Sequence, residues 1–298
     1  MSFRKLAKKL LPDFFIKKYR TWLERKQLVS KGHYYSPIPS MAEIKGYDFS
    51  KPLPEILPGI DLNSKEQLNL LYSFEKFYNE LPFTDKKSEK LRYYYDNEAY
   101  CYSDAILLYC MIRHIKPKKL IEVGSGFSSS VTLDTNELFM ENSINCIFIE
   151  PYPKVLESLL RESDKKNVTI HKKRLQEIPI EVFKDLNEDD ILFIDSTHVA
   201  KFNSDVNYVL HEILPALAHG VYIHFHDVFY PFEYPQEWLL FGRAWNEQYI
   251  LRAFLEYNKD FKIVLFNTYL ESMYEEQIRK RFPLLYKNTG GSIWIKKI

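Results

Sequence analysis

From residue 105 onward, short apolar runs rich in Ile, Val, Leu and Phe alternate with amphipathic stretches. The runs predict strands at 119–123, 145–149, 167–171, 190–194, 220–225, 261–266 and 291–296. Helical spacing fills most of the gaps, as in Lys154–Glu162 and Ser204–Leu217, and a helix Ala105–Ile115 leads through Lys116-Pro117 into the first strand. Alternating strands and helices imply an α/β fold: a doubly wound, Rossmann-like, largely parallel sheet with helices on both faces. The last two strands depart from the rhythm, since no long helix need separate them.

The first part of the chain reads as an N-terminal helical and loop cap. Tyr34–Pro39 and Lys51–Gly59 are proline-punctuated connectors. Leu68, Leu71, Tyr72 and Phe74 fit a helix between Ser64 and Leu81, with Ser64 and Gln67 resembling a capping box. The expected division is 1–95 for a basic segment and cap and 96–298 for the catalytic domain.

Residues 1–26 carry nine Lys or Arg against Asp13 and Glu24, with Phe3, Leu6, Leu10, Phe14 and Phe15 near helical spacing and Pro12 as a break. This suits either an interfacial segment on anionic lipid or a pair of surface helices. No secretion signal or span-length apolar stretch is visible, and three cysteines without metal or redox spacing suit a reducing compartment. The expectation is a cytoplasmic protein whose segment 1–26 packs on the domain, with peripheral contact to an anionic membrane through 1–26 as the alternative. A net charge of +1 gives no electrostatic reason for a nucleic-acid partner.

The chemistry begins at Leu120-Ile-Glu-Val-Gly-Ser-Gly-Phe-Ser-Ser-Ser130, a strand, a tight turn and a helix start. Gly124 and Gly126 let the backbone turn sharply and a ligand lie against it, and the helix opening beyond offers unpaired N–H groups. Glu150 ends the second strand at about the distance where an acid meets ribose hydroxyls. A dinucleotide motif would next want a glycine; Ser129 stands there, and Glu122 precedes Gly124 by two.

Two further strand ends offer Asp195-Ser-Thr-His198 and His224-Phe-His226-Asp227. Asp195 and Asp227 suit a hard divalent cation such as Mg²⁺, and His226 as a third ligand would shift the preference toward a transition metal. His224 and His226 share a face of a regular strand, and either also reads as a packed core histidine.

Acid-x-Gly-x-Gly resembles motif I of the class I S-adenosylmethionine-dependent methyltransferases. Residues 90–298 are similar to the group called methyltransferase family 24, many of whose members occur with bacterial surface-polysaccharide enzymes. The resemblance rests on Glu122–Phe127, Ile149–Pro151, Phe193–His198, Ser204–Asn207, His224–Asp227, Pro231–Pro235 and Trp245–Gln248. It implies a seven-stranded sheet with a terminal antiparallel strand. It implies cofactor contacts at Glu122, Gly124, Ser125, Gly126 and Glu150, with Asp195 beside them. Many relatives have an acid near the adenine after the third strand; Lys173-Arg-Leu-Gln176 stands there, leaving Gln176 or backbone groups.

In related metal-dependent O-methyltransferases a basic residue three after the strand-end acid deprotonates the acceptor. His198 takes that place, with His226 and Asp227 as further catalytic candidates and Asp195 and Asp227 as metal ligands. The implied function is S-adenosylmethionine-dependent O-methylation of a sugar, a surface glycan or its precursor, with assistance from Mg²⁺ or another divalent cation. The alternatives are an NAD-binding oxidoreductase or epimerase and a non-catalytic cofactor-binding scaffold.

Overall fold

The computed structural model describes Lys18 and residues 28–298; the basic segment 1–26 otherwise lies outside the described residues. The chain folds as two compact units, residues 1–52 with 234–244 and residues 53–233 with 245–298. The expected boundary after residue 95 is not where these units part.

The larger unit is built on one seven-stranded sheet: β1 Lys119–Val123, β2 Asn145–Ile149, β3 Val168–His171, β4 Ile191–Ile194, β5 Tyr222–His226, β6 Phe261–Phe266 and β7 Ser292–Lys297. Their order is β3-β2-β1-β4-β5-β7-β6. The first five are parallel, and β7 inserts antiparallel between β5 and β6. The central strands are apolar on both faces because helices cover both: Leu120, Ile121, Leu192, Ile223 and Phe225 are fully buried.

Strand limits differ from expectation where a polar group has other work. Asp190 is outside β4 because its carboxylate accepts from the N–H groups of Lys118 and Lys119 at 3.1 and 2.8 Å. β5 begins after Gly220, which turns at φ +85° against Glu188. The gap between β6 and β7 holds the helices Asn267–Met273 and Glu275–Arg281, so the closing strands are antiparallel without being a tight hairpin.

The expected capping box is also corrected. Asn63, in the left-handed region, precedes the helix Ser64–Ser73, and no side chain caps it. Gln67 is buried instead: its amide nitrogen meets the Leu62 carbonyl and its oxygen accepts from the Phe266 N–H at 2.7 Å. That bond satisfies backbone of β6, the edge strand. Residues 53–95 are anchored by Phe74, Tyr93 and Tyr95 in the core and by buried Arg92, which pairs with Asp134 at 2.7 Å and Asp164 at 2.5 Å.

The smaller unit contains the helices Met41–Gly46, capped by Ser40 and Glu43, and Gln236–Leu240. Among the described residues no helix is long and apolar enough to cross a membrane.

Candidate active site

Parallel strands bring their carboxyl ends to one edge, and strand order reverses between β1 and β4, where open α/β sheets bind ligands. A cavity of about 410 Å³ lies there, walled by the ends of β1, β2 and β4 and by the segments 174–176 and 201–205. Of the expected cofactor residues, Gly124, Glu150, Gln176 and Asp195 line it; Glu122, Ser125 and Gly126 are not on its wall.

Gly124 sits at φ +79°, and a Cβ there would lie 1.6 Å from the Asp195 carbonyl oxygen. The expectation that this missing side chain leaves room for a ligand is therefore corrected: the room belongs to the protein. It lets the turn pass against the end of β4, where the Asp195 N–H donates to the Val123 carbonyl at 2.8 Å. Gly126 is the open position, since a Cβ would meet only Val155 Cγ1, at 3.8 Å.

Ser129 replaces the third glycine for a visible reason. Its hydroxyl accepts from the Gly126 N–H at 3.1 Å and donates to Glu122 Oε1 at 2.9 Å, beside Ser128 at 2.6 Å. Glu122 is wholly buried, and burial pushes its carboxyl up to about 8 despite those two bonds. Its Oε2 is buried without a partner, as is the Ser125 hydroxyl. Two orphaned polar atoms flanking the glycine turn fit a polar ligand group arriving there.

Glu150 accepts from the Ser125 N–H at 3.3 Å and the Tyr152 N–H at 2.8 Å, which fixes the carboxylate on the cavity wall. Gln176 donates to the Asn203 carbonyl at 2.7 Å and so ties the two segments on the far wall together.

Beyond Asp195 the site becomes a dense cluster of acids and imidazoles. His198 holds a left-handed backbone, φ +58°, and is 4 % exposed. Its Nε2 lies 3.3 Å from Asp195 Oδ1 and 3.5 Å from Asp227 Oδ2, and its Nδ1 lies 2.8 Å from Glu247 Oε2. His226 Nδ1 lies 3.4 Å from Asp195 Oδ1 and 3.7 Å from Asp227 Oδ1; its Nε2 lies 3.4 Å from Asp104 Oδ2.

These neighbours decide the charge states. Burial opposes charge on His198, but hydrogen bonds to Asp195 and Glu247, with their charges, raise it to about 10. Burial opposes charge on His226 as well, and the charges of Asp227 and Asp195 raise it well above its ordinary value. In both, the surrounding carboxylates favour the charged form of the imidazole. Burial would raise Asp195, but the charges and hydrogen bonds of His226 and His198 hold it well below the usual carboxylate range. Asp227 is raised by burial, against the charges of the same two histidines.

His224 is a core residue. It stacks on Phe193 at 4.0 Å and meets the edge of Trp294, and burial drives its pKa far down.

Asp195, His198 and Asp227 each offer a ligand atom within 4.8 Å of the others. The expected metal pair is thus joined by His198 rather than His226. Two carboxylate oxygens and one imidazole nitrogen shift the preference from Mg²⁺ toward a transition-metal cation that accepts both ligand types. Glu247, bonded to the other ring nitrogen, is the carboxylate that commonly orients such a histidine.

Sequence reasoning left Glu247 and Asp104 without roles. They lie 49 and 122 residues from the histidines they touch, so no local spacing could pair them. Trp245, whose ring centroid is 4.4 Å from that of His198, was legible only as part of an aromatic loop.

A family model, methyltransferase family 24, described as a methyltransferase domain, matches residues 121–228, from β1 to just past the end of β5. A protein of Archaeoglobus fulgidus, described only as uncharacterized, is 32% identical over 167 residues, which span 54% of this chain and 74% of that one. Among solved structures, the SAM-bound O-methyltransferase TomG of Streptomyces achromogenes, involved in tomaymycin synthesis, is 15% identical, covering 76% of this chain and 96% of its own, with a TM-score of 0.48. The SAH-bound methyltransferase PaMTH1 of Podospora anserina is 14% identical, covering 83% and 100%, with a TM-score of 0.42.

Proposed function

Because the chain belongs to the class I S-adenosylmethionine-dependent methyltransferases, we propose that it methylates a hydroxyl oxygen of a sugar, of a surface polysaccharide or its precursor. The observation that carries this reading is that Asp195 belongs both to the cavity wall and to the acid–imidazole cluster. An acceptor hydroxyl held by the cluster would thus stand beside whatever the cavity holds.

When bound, S-adenosylmethionine supplies a methyl group on a positively charged sulfur, with S-adenosylhomocysteine as the leaving product. Gly124, Glu150 and Gln176, which line the cavity, hold and orient it. Asp195 remains ionised between two charged imidazoles and fixes their positions. The acceptor's O–H bond breaks as its oxygen bonds to the methyl carbon, and the proton passes to Asp227. Of the two aspartates, Asp227 is the one whose affinity for a proton is raised. General-base help of this kind contributes about 10²–10⁴-fold. Trp245 beside His198 offers a ring for a sugar face.

A divalent cation would fit the same place only by displacing the proton from His198 Nε2; held then by Asp195, His198 and Asp227, it would lower the acceptor hydroxyl's pKa and orient it. The free cysteines, two of them buried, are compatible with a cytoplasmic setting.

Calorimetric titration with S-adenosylhomocysteine and with NAD is the first test. Binding of NAD alone would give the site to a nicotinamide enzyme. The second test is transfer of labelled methyl to a glycan panel. Cofactor binding without transfer to any oxygen acceptor, with or without Mn²⁺, would leave the scaffold reading. Calorimetry with Mn²⁺ on wild type and on Asp227→Asn tests the cation separately from turnover.

A further inference from the structure

The near-neutral total hides a division of charge. Residues 1–52 and 234–244 carry 13 Lys or Arg against 5 Asp or Glu, a formal +8. The larger unit carries 28 against 35, a formal −7. Most of the excess lies in residues 1–26. The described acids of the smaller unit are partly engaged at home: Glu43 accepts from the Ser40 N–H at 2.7 Å, and Asp48 from the Ser50 N–H at 3.0 Å.

The same unit exposes large apolar side chains. Tyr34 is 80 % exposed, Tyr35 70 %, Phe241 86 %, Met41 51 % and Leu240 42 %. Between its two described segments lies a cavity of about 280 Å³. Ile38, Met41, Ile44, Leu239 and Leu240 line it, and Lys31 and Arg243 are part of its wall. Both cations are exposed.

We propose that this unit docks on an anionic lipid surface. Tyrosines suit the headgroup boundary, aliphatic side chains gain by entering the acyl region, and lysines and arginines meet the phosphates. A nucleic acid would use the charge but would leave Met41, Leu240 and the apolar cavity in water. The proposal does not depend on the acceptor, because the residues that carry it belong to the smaller unit alone.

The test is co-sedimentation of the full chain with phosphatidylcholine vesicles, with and without phosphatidylglycerol. Wild type should bind only the anionic vesicles, and about 1 M salt should weaken binding at least ~10-fold. The triple variant Tyr34→Ser, Tyr35→Ser, Phe241→Ser should bind at least ~10-fold less, and so should Lys31→Glu with Arg243→Glu, since each cation near such a surface contributes about fivefold. S-adenosylhomocysteine affinity should be unchanged in both, which separates this result from failure of the methyltransferase reading. The proposal is overturned if wild type ignores anionic vesicles at low salt. It is equally overturned if the triple variant binds as wild type does, or if duplex DNA binds as tightly as the vesicles and is unaffected by the triple substitution.

Discussion

Replacing either glycine of the turn by alanine separates what the fold needs from what the ligand needs. At Gly124 the new Cβ would stand 1.6 Å from the Asp195 carbonyl oxygen and 2.7 Å from its carbon, with φ at +79°. Both atoms are backbone at a strand end, so neither can swing aside. A positive φ costs a side chain roughly 1–2 kcal/mol, and forcing extra volume into a packed site costs about 1–3 kcal/mol more. Gly124→Ala should therefore lose roughly 2–5 kcal/mol, and its melting point should fall by about 5–15 °C. Asp195 would be displaced with it, so S-adenosylhomocysteine binding should fall too. At Gly126 the nearest atom is a side-chain methyl at 3.8 Å, ordinary contact. Gly126→Ala should melt much closer to wild type, and Gly126→Val should lose most of its affinity while remaining folded. The assays are thermal unfolding and calorimetric titration on the same preparations. Gly124→Ala melting with wild type would refute the carbonyl argument. Gly126→Val binding S-adenosylhomocysteine normally would place the ligand elsewhere.

Three other substitutions test separate parts of the molecule. Arg92→Met leaves Asp134 and Asp164 buried without their cation, so urea unfolding should show a loss of about 3–5 kcal/mol. Glu150→Gln keeps a group able to accept from Ser125 and Tyr152 but removes the charge; affinity for S-adenosylhomocysteine should fall about 10-fold or more with little change in melting. His198 is raised from an unfolded value near ~6.5 to about 10 in the folded protein. Its stabilising contribution is therefore complete below the unfolded value and is lost as pH climbs to the folded one. With chelator present, stability should decline between those limits, and His198→Gln should flatten that decline; an unchanged slope would deny the charged histidine.

The alternation of apolar runs and helical stretches was enough to locate all seven strands, because each run carries its own local signal: the central ones are buried on both faces, and even the edge run Val168–His171 keeps β-branched residues between turns. The acids and glycines at strand ends were legible for a related reason: parallel strands bring every carboxyl end to one edge. Even so, the residue types at those ends did not reveal their work. Gly124 reads as ligand space until the Asp195 carbonyl, 71 positions later in the chain, is seen to fill it. His198 reads as a residue acting alone until Asp195, Asp227 and Glu247 are seen to surround it. Periodicity and turn chemistry are properties of neighbours in the chain, so they survive in one dimension. Proton affinity and steric room belong to neighbours in space, and only the closing of the sheet and the return of the chain at Glu247 bring those together.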